Sequence, residues 1–300
     1  MKKQNFLLRN NGYMKKIVVA LDFSSGSIHA LKYAINIANV THSDILMIWV
    51  DKTASPDSVY STSVESYRGE VIRRFRDLIK EYQPVLTGGK LEYKLRKGKI
   101  YAEIVNTAKA KKADIIISGS HGVSGFEEYW IGSNANRMVG HAHCPVITVR
   151  NGFEIKDGGI KRIVVPIDQS NHTLIKVPFT AKLARLFGAE VHIVVIFSTN
   201  LKTMHKRVEN FAEKAKKYFD NENVSFSEEH IQTQNSTKGA IDYAKKVDAD
   251  MISIMTEQDE RKDSGLLGPC AQQMVNHSPI PVLSVHVDDA RKVMRMFEEI

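Results

Sequence analysis

The chain has 300 residues, 43% hydrophobic and 25% charged, with a formal net charge of +8, a length that suits two domains of about 140 to 150 residues, each able to bury a core. No run approaches the roughly 20 apolar residues of a membrane span, and the cations stand among glutamates rather than in a basic block interleaved with aromatics, which argues against membrane and nucleic-acid partners. The two cysteines, Cys144 and Cys270, form neither a C-x-x-C pair nor a disulfide framework, so a reducing cytoplasm is the expected location.

Residues 1–14, with only the short apolar run Phe6-Leu7-Leu8, are read as a disordered leader rather than a secretory signal. A first domain is expected over 15–150, with strands near 15–22, 44–50, 90–96, 114–119 and 145–149. Residues 151–159, NGFEIKDGG, have the glycine and charge content of a linker. The second domain is expected over 160–287, with strands near 161–167, 190–196, 223–231, 250–255 and 281–285, followed by an amphipathic helical tail over 288–300. Helical stretches alternate with the strands, four to each domain, the pattern of a parallel sheet covered on both faces.

The two domains are copies of one unit. Ile17-Val-Val-Ala-Leu-Asp22-Phe-Ser24 matches Ile163-Val-Val-Pro-Ile-Asp168-Gln-Ser170 at an offset of 146. Beyond the second strand the offset falls to 136, pairing Asp114 with Asp250, Gly132 with Gly268 and Pro145-Val146 with Pro281-Val282. Right-handed crossovers then give an α/β fold of two tandem doubly wound five-stranded parallel-sheet sandwiches, with ligands bound outside the carboxyl ends of the strands. If the first and fourth strands are neighbours, Asp22 and Gly119 meet at that switch point.

The strongest motif lies between Gly119 and Ser133: a G-x-x-G pair, Gly119 and Gly122, then nine residues, then Gly132-Ser133 opening a helix. Glycines at the end of a strand let main-chain N–H groups approach an anion, and a helix amino terminus adds its positive end. The competing reading is a tight turn followed by a serine cap. Lys90 and Lys99 each follow a glycine, but Leu91 and Ile100 come next, so there is no G-K-[ST] loop, and no G-x-G-x-x-G follows the first strand. Asp22 is read either as a cap for the next helix or as an acceptor for a base or ribose. His121 stands inside the glycine loop as a phosphate contact or a solvated side chain. His141, His143 and Cys144 form H-x-H-C without a second ligand cluster at zinc spacing, and are read as a helix end and a turn. In the second copy the loop becomes Met255-Thr-Glu-Gln258 and the Gly-Ser step becomes Gly268-Pro269, which trades glycine for bulk, adds carboxylates and removes an N–H.

The G119-x-x-G122-x9-G132-S133 loop, the Asp22 strand and the His-Cys-Pro-Val lead into the fifth strand resemble the universal stress protein family, in tandem form, over residues 15 to 287. That resemblance implies the adenine nucleotide alpha hydrolase-like fold. It implies ribose and phosphate contacts from Gly119, Ser120, His121, Gly122, Gly132, Ser133 and Asn134, and an adenine end at Ala20, Asp22 and Val50. The implied ligand is ATP with Mg²⁺, with AMP or ADP as alternatives. It also implies pairing through the fifth strands, here an internal pseudo-dimer of 146–149 with 282–285; a homodimer and an unidentified protein partner are left open. Three functions compete: a cytoplasmic stress-response nucleotide sensor or regulator, with the stretch Val123 to Trp130 as its moving part; a slow ATP-hydrolysing enzyme, for which no general base or nucleophilic triad is evident; and a ligand-free interaction scaffold.

Overall fold

The computed structural model describes residues 14–51, 61–120, 132–156, 158–256, 267–286 and 290–298. The first half runs β1 (Lys16–Ala20), α1 (Ser25–Thr41), β2 (Asp44–Asp51), α2 (Ser61–Tyr82), β3 (Leu91–Lys97), α3 (Ile100–Ala110), β4 (Ile115–Gly119), α4 (Ser133–His141) and β5 (Val146–Val149). The second repeats it as β6 (Arg162–Ile167), α5 (Val177–Phe187), β7 (Glu190–Phe197), α6 (Lys202–Asn221), β8 (Phe226–Gln232), α7 (Ser236–Lys246), β9 (Met251–Met255), α8 (Pro269–His277) and β10 (Val282–Val285), then adds α9 (Ala290–Met296). The strand positions agree with the apolar runs, except that β1 stops at Ala20 and β8 starts later than its sequence pattern indicates, because Asn223 and Val224 close the end of α6 instead.

Val, Ile and Leu fill the central strands because both sheet faces are covered and neither side of the pleat meets water. Among the described residues the strands form one ten-stranded sheet in the order β3-β2-β1-β4-β5-β10-β9-β6-β7-β8. Each half is parallel throughout; the halves join where β5 and β10 run antiparallel, with Ile147 opposite Leu283. One apolar core lies under α1, α2, α5 and α6, and a second under α3, α4, α7 and α8. Both cores cross the seam, so the two copies share their interior.

The matched aspartates Asp114 and Asp250 set the start of each sheet. Asp114 Oδ2 accepts from the N–H groups of Lys15 (2.7 Å) and Lys16 (3.0 Å), and Asp250 Oδ2 accepts from those of Lys161 (2.8 Å) and Arg162 (2.9 Å). Each carboxylate therefore ties the entry of the first strand in its half to the fourth.

One boundary expectation changes. Met14, assigned to the leader, is buried, and its carbonyl accepts from Ser43 Oγ at 2.9 Å; residues 1–13 lie outside the described residues. Residues 151–156 and 158–159 connect the halves without helix or strand and make contacts on the way: Phe153 stands edge-on to Tyr33 at 6.3 Å, and Lys156 pairs with Asp248 (2.6 Å) and Asp250 (3.3 Å). The tail also has a partner, since α9 and the buried Phe297 after it lie on α6, with the Phe297 and Tyr218 rings 5.3 Å apart.

Replacing Asp114 by alanine leaves two amide donors without their carboxylate, and should lower stability by about 1–3 kcal/mol. Urea unfolding of the variant against the unsubstituted chain measures this.

Candidate functional site

Because β1 lies between β2 and β4, the chain leaves its carboxyl end in one direction while β4 arrives from the other, and a cleft opens there. It encloses about 480 Å³ and is lined by Ala20, Asp22, Val50, Gly119, Ser120, Gly132, Ser133 and Asn134. Those eight sequence-predicted positions thus come together at one place. His121, Gly122 and the stretch Val123–Trp130 lie outside the described residues.

One end of the cleft is apolar. Ile48 and Val50 at the end of β2 face Ile100 and Ile104 of α3 and Met138 of α4, a slot suited to a flat ring. At the other end stands the amino terminus of α4. Its cap residue is Gly132, which has no side chain to close the helix, and the first intrahelical bond runs from Asn136 N–H to Gly132 O at 3.2 Å. The N–H groups of Ser133, Asn134 and Ala135 precede that bond and carry the positive end of the helix toward the cleft.

Two glycine-loop donors do other work. Ser120 N–H donates to Val149 O (2.9 Å) and Gly132 N–H donates to Ser120 O (2.7 Å), which pins the two ends of the loop together. The expectation that all these amides are bare for an anion is corrected at these two. Gly119 has a packing reason: a Cβ there would stand 2.8 Å from Gly26 O in the first turn of α1. The cap of α1 is Ser24, and Asp22 holds that residue in the turn ahead of the helix. Asp22 Oδ1 accepts from Ser24 N–H (3.0 Å) and Ser24 Oγ (2.6 Å), and Ser24 Oγ in turn accepts from Ser27 N–H (3.2 Å). Asp168 repeats the contact with Ser170 N–H at 3.1 Å, so this structural role is common to both copies.

The second copy has the same frame and a much smaller space, about 60 Å³. Met255 stands where the first copy has Gly119, and Pro269 opens α8 where Ser133 opens α4. Residues 171–176 form turns rather than the first turns of a helix, and α5 begins only at Val177. This brings Lys176, the counterpart of Ala30, into the cleft. Lys176 is 3% exposed, and its Nζ donates to Thr173 O (2.6 Å) and Thr173 Oγ1 (3.2 Å). Burial lowers its pKa to about 8, with Asp168 opposing.

The H-x-H-C segment is divided between two elements: His141 closes α4, its Nδ1 2.8 Å from Arg137 O, and Cys144 is buried before β5. Among the described residues no three His, Cys, Asp or Glu side chains gather as metal ligands.

The family model described as the Universal stress protein family matches the chain twice, over residues 14–150 and 159–286. The chain belongs to the universal stress protein family. A universal stress protein of Methanocaldococcus jannaschii is 32% identical over 156 residues, covering 49% of this chain and 88% of its own. One from Bacillus subtilis is 29% identical over 145 residues, covering 45% of this chain and 98% of its own, so each relative has the size of a single copy. The crystal structure of a universal stress protein from Archaeoglobus fulgidus covers 90% of this chain and 97% of its own at a TM-score of 0.72 and 16% identity, a likeness of fold spanning both copies.

In this tandem universal stress protein, sequence reasoning missed Trp49, Asp51 and Tyr67 on one side of the cleft and Ile100, Ile104 and Met138 on the other. Ile100 and Ile104 carry a legible signal, an i,i+4 apolar pair at the start of a helix. Tyr67 carries none: it reaches the cleft from α2, 53% exposed, with its ring 5.8 Å from that of Trp49.

Lys176 gives a pH test. Its folded pKa is depressed, so between about 8 and its ordinary 10.5 the unfolded chain binds more protons, and stability rises with pH across that window. A Lys176→Met variant should be more stable than the unsubstituted chain at pH 7, with the difference shrinking toward pH 10. Denaturant titrations at several pH values measure it; a constant difference would mean the ammonium carries no burial cost.

Proposed function

We propose that this universal stress protein binds an adenine nucleotide, ATP with Mg²⁺, in its first copy only, and works in the cytoplasm as a stress-response sensor or regulator rather than by turnover. The contrast between the clefts carries this reading: about 480 Å³ ending at an open helix terminus in one copy, about 60 Å³ occupied by a buried lysine in the other. A purine fits the slot between Val50 and Ile104, and the phosphates fit the amino terminus of α4, where N–H groups and the helix dipole favour anions. Asp22 and Asp51 also line the cleft, and in this reading they face the ribose and base. Mg²⁺ would arrive with the nucleotide, held by phosphate oxygens and water, and would neutralise part of the phosphate charge.

A nucleotide alters the output of such a protein only to the extent that it binds one conformation better than another. The chain between Ser120 and Gly132, two residues that line the cleft, is the proposed place of that response.

Calorimetry with Mg²⁺ and ATP should give one nucleotide per chain. Ser133→Pro copies the second copy's Pro269, keeps a residue favoured at a helix start, and deletes one N–H. It should weaken ATP binding at least about tenfold, the equivalent of one hydrogen bond to a charged group, with thermal unfolding unchanged. Two nucleotides per chain, or an unaltered affinity in the variant, would contradict the proposal.

A further inference from the structure

The two ends of the ten-stranded sheet are related by the internal repeat, yet they are charged in opposite ways. At the β8 edge several charges are paired and the strand itself is acidic: Glu228 holds Lys216 (2.6 Å) and His230 (2.8 Å), Lys238 holds Asp242 (2.5 Å), and Glu229 makes no ion pair among the described residues. The β3 edge is basic. Lys94, Arg96 and Lys97 lie on the strand, Lys99 follows it, and Lys109 and Lys111 close α3 beside it. Among the described residues none of these six cations makes an ion pair. Glu92, the carboxylate on the same strand, faces Lys16 at 4.0 Å. Sheet register places Lys94 opposite Ile48 and its counterpart Glu229 opposite Val194, so the charge is inverted at one equivalent position.

Like charges are also pressed together here. Lys94 is half-buried; desolvation first, then Lys111 and Arg96, lower its pKa, with Glu92 opposing. Lysines on an edge strand ordinarily keep other strands away. That purpose does not require two ammonium groups side by side, and the twin edge dispenses with it.

The main chain supplies a second, independent observation. Ile45 N–H donates to Lys90 O (2.8 Å) and Gly98 N–H donates to Asp51 O (3.0 Å), so the even-numbered residues of β3 face β2. The N–H groups of Tyr93, Leu95 and Lys97 therefore point outward from the sheet, where among the described residues no further strand follows.

We propose that the β3 edge is a docking surface for an acidic, extended peptide segment of a partner protein, which adds to the sheet as an eleventh strand. Main-chain bonds to Tyr93, Leu95 and Lys97 would hold the segment, and carboxylates at alternate positions would face Lys94 and Arg96, which lie two apart on one side of the strand, with Lys111 beside them. A nucleic-acid strand would draw on the charges but not on the outward amides, and the rings of β3 are not offered to bases, since Tyr93 stacks on Phe75 at 4.7 Å inside the core. None of Lys94, Arg96, Lys97 and Lys111 lines the cleft, although Arg96 and Lys97 lie in register with Val50 and Asp51, which do, and the proposal does not require nucleotide binding.

The test is fluorescence anisotropy of the full chain with a labelled peptide of alternating Glu and Val, about eight residues long, to match a typical strand. Binding should weaken at least about tenfold from low to high salt and by a similar factor in Lys94→Glu/Lys111→Glu, whose thermal unfolding is checked in parallel. Hydrogen exchange should slow at Tyr93, Leu95 and Lys97 on binding, and a backbone N-methylated peptide of the same charge should not bind. Absence of binding, equal binding by the N-methylated peptide, indifference to charge reversal, or tighter binding of a single-stranded oligonucleotide of equal charge would each overturn the proposal.

Discussion

The open cleft of the first copy is framed by one close approach, the main chain at the end of β4 against the first turn of α1. At Gly119 a side chain would meet Gly26 O at 2.8 Å, so only a residue without Cβ lets the helix begin at once after its Ser24 cap. With α1 seated there, Ala30 faces inward and the far side of the strand ends stays open. In the second copy Met255 occupies the equivalent point, helix formation waits until Val177, and the intervening turns carry Lys176 inward. Met255 in place of Gly119 and Lys176 in place of Ala30 both line the smaller cleft, about 60 Å³ against about 480 Å³.

What holds the frame is the same in both halves and indifferent to that change. Asp114 and Asp250 fasten the first strand to the fourth, Asp22 and Asp168 shape the turn after the first strand, and β5 and β10 merge the two sheets. Because both cores run through the seam, loss of ligand space in one copy costs the chain none of its packing. The outer edges, β3 and β8, also differ in charge, with Lys94 at the place that Glu229 takes in the second copy.

Much of this was legible because strands announce themselves locally. The runs Ile17 to Leu21 and Asp114 to Ser118 are apolar on both faces, and the matched Asp22/Asp168 and Asp114/Asp250 pairs keep the register of the repeat. The glycine loop likewise marked the cleft through Gly119, Gly132 and Ser133. Lys176 was not legible. A lysine near the start of a helix ordinarily reads as a solvated side chain, and its burial is decided by Met255 and the turn at Thr173, which lie across the fold. Tyr67 was hidden for a similar reason, since its place at the cleft is set by how α2 lies against Trp49. The amides of Ser120 and Gly132 looked available in sequence because their partners, Val149 O and Ser120 O, are fixed only by tertiary structure.

The central claim is that the open cleft of the first copy is the nucleotide site and that the second copy has closed its own. A crystal structure of the full chain grown with excess Mg²⁺ and ATP tests this most directly. The account predicts nucleotide density between Val50 and the amino terminus of α4, with Lys176 still buried in the other half. Density beside Lys176 and none beside Ser133 would contradict it.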